Sequence, residues 1–375
     1  MFSFQLFRSV VQGPFVVAVV VFIAACGSGL VSDPTSGPDL ATVQTSATQS
    51  ESTYIQLSPS PTLTPIIKPS RGPLVRTVPV ESSTLVKSSS RPTVLDQVRV
   101  LVDSAGREVK VPQQVVRLVS LSPSATEILF AIGAGEQLVG VDDFSNFPAA
   151  AKKLERLGSF TPDLERIVAM EPDLVIAAEI VSSEIVEQLT TAGVSVWIVD
   201  SPDVRGVAES IRRLGGALGR ESTAEVVATD LERRLERLIE IVAGLTDRPR
   251  VFYELDASDP MKPFTVGPGN FVNDLLTLAG AANVFADASV PFPQVGFEAV
   301  LVRDPELIIL ADGPFGITAE SVKGRTGWDA LSAVRDGRML EVTPELGDMI
   351  SRPGPRIADG LAIVARFIHP DVFPK

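Results

Sequence analysis

The chain has 375 residues, 45% hydrophobic and 21% charged, with one Cys, one His and a formal net charge of −13. A single Cys excludes an internal disulfide framework and a Cys-rich zinc site, and a single His excludes centres built from several imidazoles. The acidic balance argues against nucleic-acid partners, which need a surplus of Lys and Arg.

The opening segment does not read as part of a fold. Arg8 precedes an apolar run from Pro14 to Ala25, too short to span comfortably as a mature helix. The run ends at Ile23-Ala24-Ala25-Cys26, and small residues before a Cys resemble a bacterial lipoprotein cleavage site. That resemblance implies a signal peptide over 1–25 and a diacylglyceryl group on Cys26. The protein would then be extracytoplasmic and lipid-anchored to the cell membrane. Residues 26–95 read as a tether. They are rich in Ser, Thr and Pro, and runs such as Ser58-Pro59-Ser60-Pro61-Thr62 cannot build a core. A flexible tether of that length has an r.m.s. span of about 50 Å.

The pattern changes near Val98. Arg99–Asp103 and Arg107–Pro112 read as a hairpin around Ser104-Ala105-Gly106. Val115–Leu121 is a strand candidate. A helix start follows, with Pro123 in the first turn and Ser124 with Glu127 at capping-box spacing, and the helix stops at Gly133. Further strands are expected over 174–178, 194–199, 250–255, 307–310 and 339–342. Helical segments lie between most of them, which predicts an α/β fold with mostly parallel pairing. Leu164 to Ile176 repeats as Phe297 to Ile309: apolar, Glu, any, two apolar, two variable, then acid-Pro-acid and a strand. A weaker echo pairs Thr126-Glu127-Ile128-Leu129 and Gly133 with Asn273-Asp274-Leu275-Leu276 and Gly280. Two echoes in the same order predict two lobes of similar build. Between the copies, Val227, Leu231, Leu235, Leu238, Val242 and Leu245 recur at helical spacing. The helix they predict, Thr223–Leu245, spans about 35 Å and can bridge two lobes, resisting large hinge closure.

Several stretches resemble the periplasmic cobalamin-binding protein family: Leu118 to Glu127, Val139-Gly140-Val141 with Asp143 to Pro148, Leu164 to Ile176, and Val290 to Val295. The resemblance runs from about Val115 to Phe367, nearly the whole folded region. It implies a substrate-binding protein of an ABC importer for cobalamin or iron complexes. The expected architecture is two Rossmann-like α/β lobes joined by one long helix, with the ligand cleft between them. The expected division is 96–205 for the first lobe, 206–248 for the helical bridge and 249–375 for the second lobe.

The resemblance also carries residues over. Phe144, Phe160, Phe264 and Phe292 stand at aromatic cleft positions, and Asp348 with Arg352 at the polar pair that meets the ligand. A corrinoid suits such a set, because Phe faces cover a broad apolar ring while rim amides need a few donors and acceptors. Two departures stand out: Ala178 replaces a pocket Trp, and every carried-over aromatic is Phe, without a phenol or indole donor. Glu165 and Glu298 match the lobe-top acids that relatives present to Arg residues of the permease dimer. The bland alternative for each is an acid in a first helical turn, worth about 0.3–1 kcal/mol with the helix dipole.

The expected partners are a corrinoid or iron complex, an ABC permease with its ATPase subunits, and the membrane through Cys26. The chain is expected to act as a monomer, with no resident cofactor or metal. A ferric siderophore is the competing ligand, since Arg325, Arg352 and Arg356 could meet an anion. Axially ligated haem has little to use in His369, Tyr54 or Tyr253. An enzyme is not expected, because Ser122 or Ser124 would need His369 as base and no Gly-x-Ser-x-Gly elbow occurs. An adhesin or wall scaffold is suggested only by the tether.

Overall fold

The computed structural model describes residues 98–373. The signal segment, Cys26 and the 26–95 tether lie outside the described residues. The described residues open with an antiparallel hairpin of β1 (Val98–Val102) and β2 (Glu108–Pro112). The first lobe follows: β3 (Leu118–Leu121), α1 (Pro123–Ala131), β4 (Leu138–Val141), β5 (Glu155–Arg156), α2 (Leu164–Ala169), β6 (Leu174–Ala178), α3 (Ser183–Thr191) and β7 (Val196–Val199). Then come α4 (Gly206–Ala217) and the long α5 (Glu221–Ala243). The second lobe holds β8 (Arg250–Glu254), α6 (Phe271–Leu278), β9 (Ala282–Asn283), α7 (Phe297–Arg303), β10 (Leu307–Leu310), α8 (Ala319–Lys323), α9 (Ser332–Arg335), β11 (Met339–Glu341), α10 (Pro344–Ser351) and α11 (Ile357–Ile368).

Both lobe sheets are wholly parallel, in the orders β5-β4-β3-β6-β7 and β11-β10-β8-β9. Four strands therefore lie in the same order in each lobe, and the sequence repeat falls on matching α2–β6 and α7–β10 units. The match reaches single bonds. Asp173 N donates to Arg117 O, and Glu306 N to Arg250 O, both at 2.9 Å. The Arg117 guanidinium donates back to Met170 O, and that of Arg250 to Asp304 O, one repeat position further on. The residue before the Pro takes a left-handed backbone in both copies, with φ of 47° at Glu171 and 38° at Asp304.

Parallel strands bury both faces, and period-two alternation divides their side chains between cores. Leu118, Leu174, Ile176, Val251, Tyr253, Leu307 and Ile309 enter one continuous apolar cluster shared by the two lobes, α4, α5 and α11. Val119, Val175 and Ala177 line a core on the other face of the first sheet, and Phe252, Ile308 and Leu310 one on the other face of the second. Helix α5 starts and ends two residues earlier than its periodicity predicts, and it buries Ala224, Ala228, Leu231, Leu235 and Val242. Its close approach to α4 needs Gly215, where a Cβ would fall 2.2 Å from that of Ala224. Among the described residues, no helix is long and apolar enough to cross a membrane.

One local reading changes. Ser122, not Ser124, caps α1, and its Oγ accepts from Ala125 N at 3.3 Å. Pro123 occupies the first helical position, so the cap falls one residue before it. Glu127 is consequently not a capping residue, and its carboxylate points elsewhere.

Candidate functional site

In open parallel sheets the loops beyond the carboxyl ends of the strands form the ligand crevice. In the first lobe the loop after β4 is pinned from below. Asp142 is buried, accepts from Phe144 N at 2.8 Å and receives the Ser145 hydroxyl. Arg156 donates to the carbonyls of Asp142 and Ser145, both at 2.8 Å. Burial pushes the Asp142 carboxyl up, against the lowering pull of those hydrogen bonds and of Arg352 and Arg156. The pinned loop turns Phe144 outward onto Phe160, from the loop after β5. Their ring centroids lie 5.5 Å apart at 52°. Both remain open, at 38% and 44% exposure, and form an apolar aromatic surface without a covering neighbour.

In the second lobe, the segments 263–267 and 291–295 pair as a short antiparallel ribbon. Thr265 N donates to Pro293 O, Gly267 N to Pro291 O, and Phe264 lies opposite Gln294. This register sets Val266 against Phe292 and puts Phe264 and Phe292 diagonally on one face. Both are half-buried, and Phe292 packs against the shared core. These two rings therefore serve partly as lobe structure, unlike the Phe144–Phe160 pair.

Asp348, in α10, and Arg352, just after it, meet the first lobe directly. Arg352 Nη2 lies 2.6 Å from Asp348 Oδ1 and donates to Phe144 O at 3.1 Å. Its Nη1 donates to Asn146 Oδ1 at 2.8 Å and Glu127 Oε1 at 3.1 Å, while Asn146 Nδ2 donates to Asp348 Oδ2. Arg356 adds two bonds to Glu127, from Nε at 2.8 Å and Nη2 at 2.6 Å, and stacks 3.9 Å over the Phe147 ring. The structure thus joins Phe144, Phe160, Asp348 and Arg352 in one surface.

Sequence reasoning missed Glu127, Asn146 and Phe147 as members of this cluster, and it offered Arg356 only as a cation for an anionic ligand. No local signal marks such residues, because their partners lie some 200 positions away. Phe315, 73% exposed beyond β10, is a further aromatic on the same strand-end edge of the second sheet.

Arg325, the third candidate cation, is committed to a partner of its own. Glu254, at the end of β8, forms a buried bidentate pair with Arg325 at 2.6 and 2.8 Å. Asp312, at the end of β10, is pushed up to about 7 by burial first and the nearby Glu254 charge second. His369 is buried with Nε2 3.3 Å from Gly280 O, and Ser122 and Ser124 bond each other through their hydroxyls. Glu165 and Glu298 are both exposed and each is the second residue of its helix, α2 and α7.

A model of the periplasmic binding protein family matches residues 118–346. An uncharacterized ABC transporter substrate-binding lipoprotein of Bacillus subtilis is 30% identical, over 73% of this chain and 86% of that protein. A vitamin B12-binding protein of Salmonella choleraesuis is 37% identical, over 64% of this chain and 85% of its own length. The crystal structure of the periplasmic vitamin B12 binding protein of Vibrio cholerae is similar, with a TM-score of 0.59 at 28% identity, covering 70% of this chain and 99% of that one. A periplasmic heme-binding protein from Roseiflexus sp. RS-1 has a TM-score of 0.62 at 25% identity, covering 69% and 99%. The family match spans most of the described fold and agrees with its two-lobed parallel topology, so the chain belongs to the periplasmic binding protein family.

Proposed function

We propose that this protein is the lipid-anchored substrate-binding component of an ABC importer and that its cleft takes a corrinoid. The observation that carries the ligand class is charge balance beside an open aromatic surface. Arg352 and Arg356 face Glu127 and Asp348, two cations against two anions, and Arg325 is committed to Glu254. All three Arg residues that could have met an anionic siderophore are neutralised. A broad, nearly neutral ring with amide substituents fits the Phe144–Phe160 face and the Asp348–Arg352 pair. Haem has poor axial donors here, because His369 and Tyr253 are buried. Met261, which is exposed on the loop after β8, offers a thioether instead.

The test is a titration of the purified protein with cyanocobalamin, cobinamide, hemin and a ferric siderophore, followed by intrinsic fluorescence. Saturable quenching by both corrinoids is expected, with no turnover. Silence toward both overturns the ligand reading, and a hemin response lost in Met261→Leu replaces it with haem. Buried polar partners already account for His369, Ser122 and Ser124, which supports binding rather than hydrolysis.

Anchoring follows from Cys26. Replacement by Ala is expected to shift the protein from the membrane to the soluble fraction on cell fractionation. Retention in the membrane would sink the lipid anchor. The permease would be met by Glu165 and Glu298, one exposed acid per lobe, on a partner with two matching basic sites.

A further inference from the structure

Glu127 is 4% exposed, yet the two residues that donate three bonds to it, Arg352 and Arg356, belong to the other lobe. Its two oxygens receive Arg352 Nη1, Arg356 Nη2 and Arg356 Nε. Arg352 in turn holds Asn146, the Phe144 carbonyl and Asp348. Arg356 lies over Phe147. Each residue that gives the cleft its polar pair or its aromatic loop is therefore one or two bonds from this carboxylate.

We propose that Glu127 of the first lobe is the positioning residue of the cleft, orienting Arg352 and Arg356 of the second lobe and thereby setting both the ligand-contact pair and the gap between the lobes. The internal repeat supports a latching role independently. Asp274 stands at the position of Glu127 in the second copy, and its Oδ2 accepts from Val204 N of the first lobe at 2.9 Å. The opening helix of each lobe thus sends one carboxylate into the other. Two reciprocal latches, with the shared core beneath them, hold the gap against hinge opening. A permease that pulls the lobes apart would break the Glu127 cluster and withdraw Arg352 from the ligand in one movement.

The ligand half of this proposal rests on the reading of Arg352 as a ligand contact, and the lobe half does not. Both are tested on the full chain with Glu127→Gln, and with Glu127→Asp in case the first variant does not fold. Amide hydrogen exchange is expected to rise about tenfold in segments 144–147 and 351–356, with β6 and β10 unchanged. The dissociation rate of cyanocobalamin is expected to rise about tenfold with little change in association. Asp274→Asn is expected to loosen 203–205 instead. Unchanged exchange at both segments in the Gln and Asp variants overturns the latch. Loosened segments with an unaltered dissociation rate overturn the positioning of the ligand pair. If the parent protein binds no corrinoid, the ligand reading fails, and the exchange measurement alone decides the role of Glu127.

Discussion

Replacing Glu165 and Glu298 together with Ala is expected to abolish uptake of radiolabelled cyanocobalamin by whole cells while leaving the affinity of the purified protein unchanged. Each acid sits exposed at the second position of a helix that begins just past a strand-end loop, and the internal repeat relates the two. In the free protein their only general contribution is with the helix dipole, about 0.3–1 kcal/mol each, so the variant should fold. Against a cationic partner surface, losing a desolvated charge pair costs about 2–5 kcal/mol, and two such losses suffice to end productive docking. Each single variant is expected to retain partial uptake. Weakened ligand binding in the double variant would place these acids in the cleft instead, and normal uptake would remove them from the docking surface.

The second large effect concerns stability. Arg325→Ala should cost about 3–5 kcal/mol, because it leaves the Glu254 carboxylate buried without its bidentate partner. The guanidinium also covers the face of Trp328 at 4.5 Å, and that ring stacks on Phe297, so packing is lost with the charge. Asp312 gives the deficit a pH signature. Its carboxyl is raised from 3.8 to about 7 by burial and by Glu254. Between those values the folded state keeps a proton that the unfolded chain has released. Stability contributed at this site is therefore fully present below the lower value and falls as pH rises toward the upper one. Loss of Arg325 removes an opposing influence and should extend that decline to higher pH. Urea midpoints at pH 5 and pH 8 read both effects, with Asp312→Asn expected to flatten the slope. An Arg325→Ala protein as stable as its parent at both values would show that the pair is solvated.

Much of the architecture is legible in the sequence. Strands alternating with helices imply parallel sheets, and the acid-Pro-acid repeat places matching helix–strand units in two lobes. The spacing of Leu231, Leu235 and Val242 marks the inner face of α5. These are local patterns, set by the periods of strand and helix and by Pro and Gly at turns, so a linear reading recovers them. The candidate site was legible only through its motifs. Phe144 and Phe160 lie where loop composition suggests exposure, whereas Phe292, also in a loop and between two Pro residues, is half-buried against the shared core.

The sequence by itself determined the two-lobed parallel fold, the bridging helix and the acidic first turns of α2 and α7. It could not determine how charges pair across the cleft. Glu127 has the spacing of a capping residue, but the cap shifted to Ser122 and left its carboxylate for Arg352 and Arg356. Arg325, Arg352 and Arg356 look like three cations for an anionic ligand until tertiary contacts neutralise each one. The physical reason is that periodicity records which face of an element is apolar, while ion pairing depends on which distant groups folding brings within about 3 Å.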